Sequence, residues 1–210
     1  MMYRDRQHAG QELSKLLKPL ELQDPLVLAI PRGGVVVGQQ VAHELQAGLD
    51  VVMAKKIGAP FNPEFAVAAV DQDGHITFPP GGGVYAAHDY IENRAREISE
   101  QIAQQLAYFR QGRQPLAVEG RDVVVVDDGL ATGLTALAAL KYVRRLKPKS
   151  LTLAVPVSPE ETIHTLSEHV DEVVCPLRPF PFYAVGQWYL RFDQVSDETV
   201  LDILAQAQSR

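Results

Sequence analysis

The sequence has little cysteine, no long hydrophobic run and no excess of positive charge. Cys175 is its one cysteine, which excludes an intrachain disulfide and a multi-cysteine zinc site and is compatible with a reducing compartment. No apolar run approaches the ~20 residues that a membrane-spanning helix needs. The first residues are rich in charge and lack the apolar core of a signal peptide. We therefore predict a cytoplasmic protein with no membrane partner.

The charge balance argues against a protein that coats nucleic acid. Twenty Lys and Arg against 26 Asp and Glu give a net charge of −6, whereas such proteins are usually basic. Hydrophobic residues make up 46% and charged residues 22% of the 210 residues, which is the mixture of a globular domain. We expect one domain over residues 1–210 and no nucleic-acid partner.

The histidines and acids do not form metal-binding patterns. His164 and His169 lack the i, i+4 spacing of a helical metal pair. Residues 71–74 (Asp-Gln-Asp-Gly) begin like a calcium loop but lack its distal Glu, so a turn is the better interpretation. The sequence therefore predicts no protein-held transition metal.

Short apolar runs alternate with amphipathic segments along most of the chain. The predicted strands are 26–30, 50–54, 123–126, 151–155 and 171–174. The predicted helices are 3–18, 35–46, 88–109, 135–146, 159–169 and 197–207. Continuous apolar strands joined by helices indicate an α/β fold, with a parallel sheet covered by helices on both faces.

The stretch 57–89 differs from the rest of the chain. It holds four prolines and a run of glycines at 81–83. A small hairpin with strands at 67–70 and 76–78 is predicted within it, and the remainder is predicted to be irregular. Because loops of this length in compact domains are usually functional, we expect a mobile loop or hairpin here.

The strongest chemical signal follows the strand at 123–126. Asp127 and Asp128 precede a loop of small residues, 129–133, that opens a helix. Backbone N–H groups at a helix N-terminus can hold a phosphate monoester, and the carboxylates can accept hydrogen bonds from a ribose. A pair of Asp residues can also simply cap a helix, but the Ala-Thr-Gly-Leu-Thr that follows favours a sugar-phosphate site.

Segment 123–135 resembles the signature with which type I phosphoribosyltransferases bind phosphoribosyl pyrophosphate (PRPP). Three further segments follow the family's order and spacing, over about residues 25–195: 30–34 (Ile-Pro-Arg-Gly-Gly) as its pyrophosphate loop, 55–60 as its basic segment, and 184–193 as its C-terminal hood. With 62–65 (Asn-Pro-Glu-Phe), the Pro-Arg-Gly-Gly loop resembles a poorly characterised bacterial branch of the family.

This resemblance implies a Rossmann-like core at about 20–175, a flexible hairpin at about 57–89 and a hood at about 176–195. It also implies the roles of individual residues. The 5-phosphate of PRPP would bind to Ala131, Thr132, Gly133, Leu134 and Thr135. The pyrophosphate would bind to Arg32, Gly33, Gly34, Lys55 and Lys56, in a loop with a strained or cis peptide. The candidate catalytic residues are Asp127, Asp128, Arg32 and Glu64. The hood aromatics Trp188, Tyr189 and Phe192 would stack on a base.

Several of these residues also have plainer interpretations. The Pro-Arg-Gly-Gly sequence alone is a common tight turn. One of Lys55 and Lys56 should face solvent, because neighbours on a strand point to opposite faces. Glu64 is equally well a surface acid, and at least one hood aromatic should belong to the core.

The resemblance implies Mg²⁺-dependent transfer of ribose 5-phosphate from PRPP to a nitrogen acceptor, a nucleobase, with release of pyrophosphate. Asp127 and Asp128 are the candidates for direct contact with Mg²⁺. Transferases for 6-oxopurines have an Asp in the phosphate loop where this chain has Ala131, so guanine and hypoxanthine are less favoured acceptors. A PRPP-binding regulatory module without turnover and a sugar-phosphate or PRPP hydrolase remain alternatives. A homodimer is expected, because symmetric dimers are the commonest oligomers.

Overall fold

The computed structural model describes residues 2–81 and 86–208, so the glycines at 82 and 83 lie outside the described residues. The helices are α1 (Arg6–Leu17), α2 (Gly33–Leu45), α3 (His88–Arg110), α4 (Leu134–Arg145), α5 (Glu160–Ser167) and α6 (Asp197–Gln208). The strands are β1 (Leu26–Ala29), β2 (Gly48–Val51), β3 (Ala54–Ala59), β4 (Asn62–Asp71), β5 (Ile76–Thr77), β6 (Asp122–Val126), β7 (Ser150–Ala154) and β8 (Glu172–Val174).

The central sheet is parallel, with strand order β2-β1-β6-β7-β8. Alternate residues of β1 point to its two faces. Val27 and Ala29 pack in a hydrophobic cluster with residues of α1, α2, α3 and α6, whereas Leu26 and Leu28 pack with residues of α4 and α5. This confirms the predicted α/β fold with helices on both faces of a parallel sheet.

The described residues of the stretch 57–89 are more regular than its prolines and glycines predict, whereas the mobility of this stretch stays a prediction. The small hairpin is confirmed as β4 and β5, but β3 and the full length of β4 form a longer hairpin, and the three strands make an antiparallel sheet in the order β3-β4-β5. The inner half of β4 is buried and its outer half is exposed. Burial of the apolar residues from Val67 to Val70 therefore stabilises strands that local turn signals argue against.

The second predicted strand ends earlier than expected. Residues 50–54 were predicted to form it, but β2 ends at Val51 and β3 starts at Ala54. Lys55 and Lys56 therefore lie inside the antiparallel sheet, paired in register with Val70 and Ala69, and not at the end of a parallel strand. The apolar run 50–54 is shared between two strands of different sheets, which a pattern of hydrophobic residues does not reveal.

The two ends of the described chain pack against the sheet core. Leu13 and Leu17 of α1 and Val200 and Leu204 of α6 join the same cluster as β1. Tyr3 forms a parallel bridge with Tyr189. Within residues 2–81 and 86–208, none of the helices combines the length and apolar character needed to cross a membrane.

Candidate functional site

The candidate site lies where the order of the strands reverses. Strand β1 pairs with β2 on one side and with β6 on the other. The connections through α2 and α4 therefore leave in opposite directions, and a crevice forms beyond the carboxyl ends of β1 and β6. The loops that follow these strands, 30–32 and 127–133, meet in this crevice, and the Ile30 N–H donates to the Val126 carbonyl at 2.9 Å.

Two glycines allow these loops to touch. A Cβ atom on Gly33 would lie 1.8 Å from Oδ2 of Asp128, and one on Gly34 would lie 2.9 Å from Cα of Asp127. Any side chain at Gly33 would therefore collide with the carboxylate. The peptide between Pro31 and Arg32 is cis, as the resemblance implied. The predicted pyrophosphate loop thus lies directly against the two predicted acids.

Burial governs the electrostatics of the acid pair. Burial and the charge of Asp128 raise the pKa of Asp127 well above its usual range. Burial also raises the pKa of Asp128, although Arg6 opposes this. The Asp128 N–H donates to Oδ1 of Asp127 at 2.8 Å. Two carboxylates held this close favour a cationic partner between or beside them.

Arg6, which is not among the predicted site residues, supplies that cation. Its Nε donates to Oδ2 of Asp128 at 2.7 Å, and its Nη1 donates to the Asp193 carbonyl at 2.7 Å. Its guanidinium carbon lies 3.8 Å from the ring centre of Phe192. Since Arg6 and Asp128 are far apart along the chain, no local pattern could have linked them. The one available signal was a cation in the first turn of a helix, where the helix dipole disfavours it.

The predicted phosphate loop is open. Ala131 and Thr132 are exposed, and no hydrogen bond within residues 2–81 and 86–208 uses the N–H groups of 131–136. Gly133 has φ +72° and precedes α4 without a side-chain cap. Behind the loop, the Thr162 hydroxyl donates to the Ala131 carbonyl at 2.6 Å. The loop therefore has a fixed backbone and presents unpaired N–H donors at a helix N-terminus, where an anion binds well.

Arg32, Lys56 and Glu64 form ion pairs outside the acid pair. Nη1 of Arg32 lies 3.6 Å from Oδ1 of Asp197, at the start of α6. Nζ of Lys56 donates to Oε2 of Glu64 at 2.8 Å on the exposed part of the hairpin. This bond and the charge of Lys56 hold the pKa of Glu64 below its usual range. Lys55 is half-buried in β3. The roles of these four residues at the site stay predictions.

The hood lies beside the acid pair. The Tyr189 hydroxyl donates to the Asp128 carbonyl at 2.5 Å, and burial raises its pKa. Tyr189 is thus a core aromatic, and its ring centre lies 4.9 Å from that of Phe192. Trp188 stacks on Phe182 with ring centres 6.5 Å apart. Stacking of any of these rings on a base stays a prediction.

The chain is similar to known proteins over nearly all of its length. Residues 5–186 match the family model of the phosphoribosyl transferase domain. The crystal structure of the protein TT1426 from Thermus thermophilus superposes with a TM-score of 0.85 at 44% identity, covering 98% of this chain and 99% of that one.

A curated protein of Mycobacterium tuberculosis strain H37Rv, provisionally named a phosphoribosyl transferase, is 39% identical over 211 residues, which cover 98% of this chain and 47% of that protein. The chain therefore spans about half the length of this relative. A uracil phosphoribosyltransferase of Legionella pneumophila strain Philadelphia 1 is 47% identical over 58 residues, 27% of each chain.

Proposed function

Because the chain belongs to the phosphoribosyl transferase family, we propose that it transfers the ribose 5-phosphate of PRPP to a nitrogen acceptor of the nucleobase type and releases pyrophosphate. One observation carries this proposal: the contact of Gly33 and Gly34 with Asp127 and Asp128, next to the open phosphate loop. In this proposal, one crevice would bind the 5-phosphate and the pyrophosphate of PRPP, and the two acids would accept hydrogen bonds from its ribose hydroxyls.

The phosphate loop would hold the 5-phosphate of PRPP. Its free N–H groups at 131–136 and the start of α4 carry partial positive charge. The hydroxyls of Thr132 and Thr135 could also donate hydrogen bonds to the phosphate oxygens. Since the sugar phosphate is anchored at this end, its ribose would extend toward Asp127 and Asp128.

The acid pair would act on the ribose during bond cleavage. As the C1–O bond breaks, the electron pair leaves with pyrophosphate and the sugar becomes cationic, as in glycoside hydrolysis. Carboxylates near the ring favour that positive charge. The acceptor nitrogen then bonds to C1 and gives its proton to a base, for which Glu64 is the candidate. Arg32, with the N–H groups of its loop, would bind the departing pyrophosphate, because a guanidinium suits bidentate contact with phosphate.

The crevice also fits a magnesium ion. Mg²⁺ in proteins is usually held by one or two carboxylates together with substrate phosphates, and Asp127 and Asp128 supply that donor set beside the pyrophosphate loop. When bound, the ion would neutralise charge on the departing pyrophosphate. The two carboxylates would orient it.

We propose an aromatic nitrogen heterocycle as the acceptor. The loop has Ala131 where 6-oxopurine transferases have an Asp, so a proton would have to leave the acceptor by another route. The hood contributes Trp188, which is half-buried and has the flat apolar face that stacks on a base. These features favour an aromatic nitrogen heterocycle that needs no carboxylate at position 131.

The proposal is tested by binding and turnover measured on the same protein. We expect PRPP with Mg²⁺ to raise the melting temperature, because a ligand that binds the folded state stabilises it. Pyrophosphate release should then depend on one base from a panel of purines and pyrimidines. Binding of PRPP without turnover for any base would favour a regulatory module, and release without a base would favour a hydrolase. Absence of PRPP binding would refute the proposal.

A further inference from the structure

Arg6 lies where a cation is not expected. It is the first residue of α1, whose first turn holds no acid, and positive charge is unfavourable at the N-terminal end of a helix. Only 11% of its side chain is exposed, and burying a guanidinium costs free energy unless it is paired. The helix does not need Arg6, because Asp5 already caps it through the His8 N–H at 2.9 Å.

Three contacts at the crevice hold the guanidinium in place. Nε donates to Oδ2 of Asp128, Nη1 donates to the Asp193 carbonyl, and the guanidinium carbon lies over the ring of Phe192. A planar fork can make all three contacts at once, whereas the point charge of a lysine cannot. The bonded oxygen, Oδ2 of Asp128, is also the atom that a Cβ on Gly33 would meet. Arg6 therefore fixes the carboxylate at the point where the two loops touch.

The segment that carries Arg6 is itself firmly attached to the hood. The Tyr3 N–H donates to the Trp188 carbonyl at 2.8 Å, and the Leu190 N–H donates to the Tyr3 carbonyl at 2.8 Å. Asp5 pairs with Arg191 at 2.7 Å. Arg6 thus reaches Asp128 from a fixed position, which is what a group that orients another group requires.

We propose that Arg6 is a positioning residue for the ribose of PRPP: it orients the Asp128 carboxylate toward the sugar hydroxyls. The inference rests on the proposed function. It adds a residue of the N-terminal helix, outside the four segments that carry the family resemblance, to the machinery of the site. Its effect should appear as a change in how strongly the site distinguishes a complete ribose from one that lacks a hydroxyl.

The test compares ribose 5-phosphate with 2-deoxyribose 5-phosphate by calorimetry. In wild type we expect preferential binding of ribose 5-phosphate. In Arg6→Gln we expect that preference to fall about tenfold, which corresponds to about 1.4 kcal/mol, because the variant loses a hydrogen bond between two charged groups. Because both ligands bind the same folded population, partial unfolding of the variant cancels in the ratio. An unchanged preference in Arg6→Gln would overturn the inference.

Arg191→Gln is the matched control, because it removes the other ion pair of the same segment without touching the acid pair. We expect its preference to stay within about twofold of wild type. An equal loss in Arg191→Gln would mean that Arg6 acts only by attaching the segment, and would also overturn the inference. If wild type binds neither PRPP nor ribose 5-phosphate, the proposed function fails instead, so the two failures are distinguishable.

Discussion

The charged groups of the crevice and those of the antiparallel hairpin differ in burial and in the direction of their pKa shifts. In the crevice, Asp127 and Asp128 are half-buried, burial raises the pKa of both, and Arg6 is ion-paired with Asp128. On the hairpin, the Glu64 side chain is 88% exposed and its pKa is lowered by Lys56. Buried like charges cost folding free energy, whereas an exposed ion pair contributes little.

The proposed function gives a reason for this difference. Two adjacent half-buried carboxylates lower the stability of the fold, and active sites commonly give up stability for function. The Lys56–Glu64 pair needs no such explanation, since the two charges are exposed to solvent and hydrogen-bonded to each other.

The double substitution Asp127→Asn with Asp128→Asn should abolish pyrophosphate release, with a loss of about a thousandfold or more, because preorganised charge at the reacting centre is the largest catalytic contribution. Asn has nearly the volume of Asp, so the fold should be retained. Steady-state rates with circular dichroism check both statements. Retained activity would refute the assignment of these acids to the ribose.

The substitution Gly33→Ala should weaken PRPP binding by about tenfold or more, because its Cβ would lie 1.8 Å from Oδ2 of Asp128 and the loop must move away. Titration calorimetry with PRPP and Mg²⁺ measures this. Gly112→Ala is the control: its Cβ meets nothing within 4 Å among the described residues, although its φ is +79°. It should lower stability and leave the affinity unchanged. Equal losses of affinity would contradict the close contact.

The pH dependence of stability should distinguish buried from exposed acids. The folded-state pKa of Asp127 is raised, so ionisation of this carboxyl is less favourable in the folded protein than in the unfolded chain. Its contribution to the free energy of unfolding is therefore complete below the unfolded-state pKa, about 3.9. That contribution is lost as pH rises through the folded-state pKa. Without ligand, Asp127→Asn should therefore melt at the same temperature as wild type in acid, and at a higher temperature at neutral pH.

The contribution of Glu64 to stability is expected to change with pH in the opposite direction. Its pKa is lowered, so the small stability it contributes is present above its unfolded-state pKa and is lost as pH falls. Melting curves of Glu64→Gln between acid and neutral pH provide the comparison. A wild-type protein that is more stable than Asp127→Asn at neutral pH would contradict the buried, raised pKa of Asp127.

The smallest effect should be that of Glu64→Gln on PRPP affinity, a change within about twofold, because the carboxylate is exposed and hydrogen-bonded to Lys56. The value of kcat decides whether the hairpin takes part in the reaction. A large fall in kcat at unchanged affinity would assign Glu64 to proton transfer. An unchanged kcat removes it from the mechanism and leaves the chemistry in the crevice.

The central sheet could be predicted from the sequence because its strands are buried on both faces. The runs 26–29 and 123–126 are continuously apolar for that reason. The long hairpin could not be predicted, since Gly58 and Pro63 are ordinarily signals of irregular loops. In the fold these residues lie against each other: a Cβ on Gly58 would come within 2.3 Å of the Pro63 carbonyl oxygen.

The parts of the site that lie in one continuous segment could be predicted from the sequence, whereas a contact between residues far apart in the chain could not. The acid pair and the phosphate loop occupy one continuous segment, so strand, loop and helix can be recognised together. Arg6 meets Asp128 only because α1 packs beside the sheet and Tyr3 attaches to the hood. Such a contact depends on tertiary packing, about which neighbouring residues carry no information.

The shared bonds between hood and acid pair have a thermodynamic consequence. Tyr189 holds the main chain of Asp128, and Arg6 bridges the Asp128 side chain to Asp193 of the hood. Under the proposed function, a heterocycle bound at the hood would also restrict the motion of the Asp128 carboxylate. By thermodynamic linkage, the factor by which the heterocycle would raise the affinity for the sugar phosphate equals the factor by which the sugar phosphate would raise the affinity for the heterocycle.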